Sequence, residues 1–136
     1  MSSMSPNWQW PFLITWLTLI LLAAVAINVA RARVRYGVKA PATTGSDPFE
    51  RIFRVQMNTI EHAVVFLPAL WMATFYWSPR WAAAGGAVWL VGRIWYAVGY
   101  ARAAAQRSSG YYLSSIGLGA LLVGSAIGWV RALAWT

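Results

Sequence analysis

The chain has 136 residues, of which 60% are hydrophobic and only 10% charged, and its mean hydropathy is +0.53. A soluble domain carries roughly a quarter charged residues, and a chain long enough for only one domain lacks the interior to hide so much apolar surface, so disorder and a water-soluble fold are both excluded. Ten Trp residues favour a membrane–water boundary, and the absence of Cys means that any thiol chemistry needs a thiol brought by a ligand.

Residues 1–30 carry no charge, and the first span is expected over 10–30, Trp10 to Ala30, which supplies the roughly 20 apolar residues a bilayer needs. No Lys or Arg precedes this run and the positive charge follows it, the reverse of a cleaved signal peptide. Arg31, Arg33, Arg35, Lys39, Arg51 and Arg54 then fall together. Despite the net charge of +8, this distribution reads as a cationic juxtamembrane connection facing anionic membrane lipid, with no nucleic-acid partner. In Asp47-Pro48-Phe49-Glu50, Asp47 can cap a helix, Pro48 suits its first position and Glu50 lies three residues after the cap.

The second helix is expected to run from there to about Trp77, with its span over 55–77. At roughly 1.5 Å per residue it outruns the bilayer, and its first turns project into water. Trp77-Ser78-Pro79-Arg80-Trp81 reads as a tight turn. A third span over 81–101 leads into the Arg102–Arg107 region, and a fourth over 108–130 is uncharged until Arg131 closes it. Within it, Gly124-x-x-x-Gly128 supports close helix contact, including contact between subunits. The expected fold class is all-α: one domain over 1–136, an integral membrane four-helix bundle.

The positive-inside rule puts the first and third connections in the cytoplasm, with the second loop and both termini on the opposite side. Trp8, Trp10, Trp77, Trp81, Trp129 and Trp135 then map to that opposite face as one interfacial belt. An Ala- and Arg-rich, Lys-poor chain without an organelle signal points to a bacterial inner membrane.

Ionisable side chains at membrane depth are candidates for function. Glu61 lies roughly 10 Å below the cytoplasmic boundary, counted from Arg54, and Arg93 roughly 18 Å from the other boundary, counted from Trp81. In a core of about 30 Å the two reach similar depth, and an ion pair between helices two and three is expected. It serves either to fix helix register or to build a site. Arg54, Asn58 and Glu61 share one face of the second helix, with Gln56 at its edge. Arg93, Tyr96, Tyr100 and Arg107 form one stripe on the third. Two polar stripes cannot both face hydrocarbon, so they are expected to converge on a wet pocket open to the cytoplasm. Such a pocket suits a small anionic ligand, while an apolar partner enters from lipid. No metal site is expected: His62 points about 100° away from Glu61, and the chain has no second His. His62 is read as a packing or hydrogen-bonding residue.

The stretch Phe49-Glu50-Arg51-Ile52-Phe53-Arg54-Val55-Gln56-Met57-Asn58-Thr59-Ile60-Glu61, followed by Phe66-Leu67-Pro68, resembles the signature of the membrane-associated proteins in eicosanoid and glutathione metabolism (MAPEG), in its microsomal glutathione transferase and leukotriene synthase branch. Ala42-Thr43-Thr44-Gly45 is similar to a loop of that branch, and Gly92-Arg93-Ile94-Trp95-Tyr96-Ala97-Val98-Gly99-Tyr100 through Arg107 resembles the family's third helix. The resemblance covers most of the chain. It implies a homotrimer holding glutathione, as co-substrate, at each subunit interface.

Carried over by position, Arg54, Asn58, Glu61 and Tyr96 would grip the tripeptide with Gln56 beside them, and Arg33 would reach it from the neighbouring subunit. Tyr100 would support the site, and Arg107 would stabilise the thiolate. Arg51 matches a basic family position. His62 stands where the leukotriene synthases have a tyrosine, so that residue's hydrogen bond to glutathione is not carried over and specificity for the leukotriene precursor is not expected.

The chemistry is sound in itself. A free thiol has a pKa of about 8.5 and its thiolate is the nucleophile, so a permanently charged guanidinium nearby raises the reactive fraction. The expected function is a membrane glutathione transferase acting on a lipophilic electrophile or lipid substrate, with lipid hydroperoxide reduction as a second activity. The alternative is a non-catalytic lipid-binding protein of the same family. Small drug–proton antiporters also have four spans and one embedded glutamate, but they carry that acid in the first span, which here is uncharged.

Overall fold

A computed structural model describes residues 7–136; residues 1–6, part of the domain expected over 1–136, lie outside the described residues. Those described form four helices and one short 3-10 turn: α1 (Gln9–Tyr36), α2 (Asp47–Tyr76), α3 (Pro79–Arg102), the turn Ala104–Arg107, and α4 (Ser108–Ala134). No strand occurs among them. Two segments, Gln9–Tyr36 and Ala104–Ala134, are long and apolar enough to cross a membrane. α2 and α3 fall below that mark because they carry most of the polar residues singled out above.

α1 continues six residues beyond the expected Ala30. Arg31, Arg33 and Arg35 therefore extend a helix rather than populate a loop. Arginine is a good helix former, and cations in a last turn complement the helix dipole. The helix stops at Gly37, whose φ of +67° is left-handed and whose N–H, like that of Val38, is donated to the Arg33 carbonyl. The cap of α2 also differs from expectation. It is Ser46, one residue before Asp47: its backbone is extended and its Oγ accepts from Phe49 N at 3.4 Å. Asp47 is already helical and, with Glu50, places negative charge in the first turn.

The α2–α3 connection is tighter than expected, because Ser78 is extended and Pro79, not Trp81, opens α3. At its far end α3 stops at Arg102. Ala103 is extended (φ −157°, ψ 138°), so the helical stripe expected to reach Arg107 is broken there.

α3 and α4 are in backbone contact. A Cβ added at Gly117 would stand 2.6 Å from Trp89 N, and one at Gly92 would stand 2.8 Å from Ser114 Cα. Gly110 meets the Tyr96 backbone in the same way. Gly124 and Gly128 press on Trp77 and Tyr76 of the same chain, so this small-residue motif brings α4 close to the end of α2. The main core packs Ile14, Phe66, Leu70, Trp89 and Leu121. Phe66 and Trp89 stack at 3.7 Å with planes 4° apart. Buried hydroxyls close on their own helix: Thr18 Oγ1 donates to the Ile14 carbonyl and Thr74 Oγ1 to that of Leu70, as a lipid surround requires.

Candidate functional site

Asn58 on α2 and Tyr96 on α3 meet across the helix pair, Nδ2 donating to the phenol oxygen at 2.6 Å. Tyr96 is buried and stacks on Tyr100, centroid to centroid 5.6 Å. Beneath it Arg93 is only 1% exposed, its guanidinium 4.1 Å from the centre of the Tyr96 ring. Arg93 donates to Ser114 Oγ and Thr59 Oγ1, both at 3.5 Å, and its Nε has no partner.

The expected ion pair with Glu61 is therefore replaced by two long hydrogen bonds and a cation–π contact. Thr59 and Glu61 are two residues apart, about 200° around the helix, so a guanidinium turned to the buried Thr59 face is turned from the Glu61 carboxylate. Glu61 itself is exposed.

Both groups nevertheless line one cavity of about 430 Å³, with Asn58, His62, Tyr96 and Tyr111. A second cavity, of about 340 Å³, shares Asn58, Tyr96 and Tyr111 and adds Arg107, Ser108 and Tyr112. The two adjoin as one groove among α2, α3 and α4. Arg107 reaches it by chain reversal rather than by helical register. Gly99 lets the 104–107 turn lie against α3, since a Cβ there would meet Gln106 O at 2.6 Å. The Arg107 guanidinium ends 5.8 Å from the Tyr100 ring.

His62 takes a hydrogen-bonding role. Trp89 Nε1 donates to its Nδ1 at 2.8 Å, and Tyr111 packs edge-on to its ring at 6.2 Å. Indole can only donate, so Nδ1 is the acceptor and a neutral ring carries its proton on Nε2.

Of the residues expected in the site, Asn58, Glu61, Tyr96 and Arg107 line the groove, and Tyr100 supports two of them through its ring. Arg54 and Gln56 line neither cavity. Arg33 holds its own connection, donating to the Ala42 carbonyl at 2.7 Å and lying over the Phe49 ring at 5.1 Å.

The sequence reading missed Tyr111 and Tyr112, and the pairing of Thr59 and Ser114 with Arg93. Two phenols at the start of an otherwise apolar span, four and five residues after Arg107, were the available signal for the first pair. Chemically, the groove offers two guanidinium groups, one carboxylate, an amide and three phenols. That donor set suits a small anionic ligand with a cationic or amide portion.

Residues 11–127 match the MAPEG family. An uncharacterized protein of Synechocystis is 51% identical over 118 residues, covering 87% of this chain and 86% of that protein. Human microsomal glutathione S-transferase 2 is 43% identical over 114 residues, 76% of this chain and 77% of the relative. Bovine leukotriene C4 synthase is 39% identical over 115 residues, 85% of this chain and 77% of the relative.

Proposed function

The chain belongs to the MAPEG family of membrane proteins, and from that premise we propose that it is a membrane-bound glutathione transferase that activates the glutathione thiol as thiolate for attack on lipophilic electrophiles. The observation that carries the reading is the groove itself, in which the Asn58–Tyr96 bond ties α2 to α3 while Arg93 and Arg107 supply positive charge. A tripeptide with two carboxylates, a thiol and one ammonium suits a cationic groove of this kind, with Arg33 and Arg54 at the interface for the carboxylates, Arg107 for the thiol and Glu61 for the ammonium. Microsomal glutathione S-transferase 2 among the relatives supports the same class of substrate.

In this reading Arg107, exposed at the groove's mouth, is the catalytic residue. Its guanidinium favours the thiolate over the thiol and needs no protein nucleophile. Asn58, Glu61 and Tyr96 bind the tripeptide, with Tyr100 behind them. The protein assembles as a homotrimer, in which Arg33, Arg54 and Gln56, away from the groove of their own chain, serve the interface site. One domain over 1–136 crosses a bacterial inner membrane four times, with the groove open to the cytoplasm. The electrophile arrives through lipid, and a lipid hydroperoxide is a second class of substrate for the same thiolate.

The test is conjugation of glutathione to a generic aromatic electrophile by purified protein, wild type against Arg107→Ala. A large loss in the variant is expected. Equal rates would remove Arg107 from its role, and no turnover with a panel of electrophiles, together with no glutathione binding by calorimetry, would overturn the transferase reading.

A further inference from the structure

A second groove lies on another face of the bundle, between α1 and α3. It has a volume of about 600 Å³; Leu21, Ala24 and Ile27 form one wall, Ile94 and Val98 the other, and Val55 of α2 the floor. At one end, and only there, it turns polar, with Asn28, Arg31 and Arg102. No carboxylate lines it, and it shares no residue with the groove that holds Asn58 and Arg107.

We infer that this groove is a binding site for an anionic diacyl phospholipid of the cytoplasmic leaflet, with its phosphate on Arg31 and Arg102 and one acyl chain along the apolar walls. The inference rests on α1 and α3 crossing the membrane with those two arginines at the cytoplasmic end.

Three features fit this occupant. α1 and α3 lie side by side in the same direction, and each brings one arginine from its C-terminal half, so the two guanidinium groups border the same mouth. Both are exposed and free to fork onto phosphate oxygens. From Leu21 to Arg31 is ten residues, roughly 15 Å along a helix, which equals half of a hydrocarbon core of about 30 Å. The groove is therefore one leaflet deep. Asn28 lies one turn above Arg31, at the level where a phospholipid's ester carbonyls need a donor, and its amide is the one uncharged polar side chain on the wall. A purely apolar ligand would leave the two arginines unused, and a small anion would leave the walls bare.

The experiment uses full-length protein in nanodiscs of equal parts phosphatidylglycerol and phosphatidylcholine, with retained lipid read by native mass spectrometry. Wild type is expected to retain phosphatidylglycerol with roughly thirtyfold enrichment, the factor that two basic side chains at a membrane surface contribute. Arg31→Gln with Arg102→Gln abolishes the enrichment. Ala24→Trp, which fills an exposed stretch of wall, abolishes retention of either lipid. Arg35→Gln, which removes an exposed cation of the same helix outside the groove, changes nothing.

Equal loss in Arg35→Gln would show diffuse surface charge and overturn the site. So would retention unaffected by Ala24→Trp, or absence of lipid from wild type because a second subunit seals the groove. Glutathione conjugation measured on the same samples separates the two readings. Lost conjugation with retained lipid overturns the transferase alone, and retained conjugation without enrichment overturns the lipid site alone.

Discussion

Trp89 donates its indole N–H to His62 Nδ1 at 2.8 Å, and this one bond joins the core of the bundle to the wall of the groove. Trp89 is fully buried and stacked on Phe66, so its ring has no freedom to find another acceptor. His62 is thereby held in one orientation, with Nε2–H left to donate. A histidine here supplies a hydrogen-bond donor through a route that a tyrosine would not need.

Replacing His62 by Phe leaves the Trp89 N–H buried without a partner. A loss of about 1–3 kcal/mol is expected from that uncompensated donor, read as a lower Tm in detergent. His62→Gln, which keeps an acceptor, should recover part of it. A Tm unchanged in the phenylalanine variant would show that the bond contributes nothing.

The Asn58–Tyr96 bond calls for a double-mutant cycle. Asn58→Ala and Tyr96→Phe should each weaken glutathione binding, measured by calorimetry. Because the two groups are partners at 2.6 Å, their effects should be non-additive by about 1 kcal/mol. Strict additivity would mean that they act independently on the ligand.

The role proposed for Arg107 predicts a pH dependence of definite sign. A cation beside the thiol favours the charged form, so under the proposed role glutathione bound to wild type should ionise below the usual value of about 8.5. Removing the cation raises the bound thiol's pKa, and activity present near neutral pH is then recovered only at more alkaline pH. Arg107→Ala should show a rate–pH profile displaced upward by about a unit or more, together with loss of the thiolate's ultraviolet absorbance at pH 7. A profile of unchanged position and lower height would instead assign Arg107 to binding.

Two glycines in the tight α3–α4 pairing and in α4 make a contrast in stability. Gly92→Ala drives a Cβ into the Ser114 backbone and should cost about 1–3 kcal/mol, since neither helix can yield alone. Gly119 has nothing within 4 Å of an added Cβ. Gly119→Ala should therefore be neutral or stabilising by up to about 1 kcal/mol through helix propensity. Thermal unfolding of the two variants side by side decides it, and equal destabilisation would contradict the packing described.

The polar residues of the groove were visible in the sequence to different degrees. Asn58 and Glu61 follow from helical spacing on α2, and Tyr96 from spacing on α3, because a continuous helix makes sequence distance and angular position equivalent. Arg107 reaches the groove by a different geometry from the helical stripe read in the sequence. The extended residue Ala103 ends the helix, and the chain returns to Tyr100 through a turn that Gly99 permits. Tyr111 was missed because it belongs to a helix read only as uncharged, and a phenol adds no charge.

What the sequence determined by itself was the solvent and the elements. Sparse charge and long apolar runs dictate lipid and helices, since hydrocarbon tolerates no unpaired backbone, and cap and breaker residues bound the helix starts to within a few positions, while α1 overran its expected end by six residues. What only the tertiary structure decided was which polar groups meet. Glu61 and Arg93 have matching depths, yet depth is one coordinate and an ion pair needs three. Rotation of α2 about its axis turns Thr59 rather than Glu61 toward the guanidinium, and the glycine-lined approach of α4 adds Ser114 as its second acceptor.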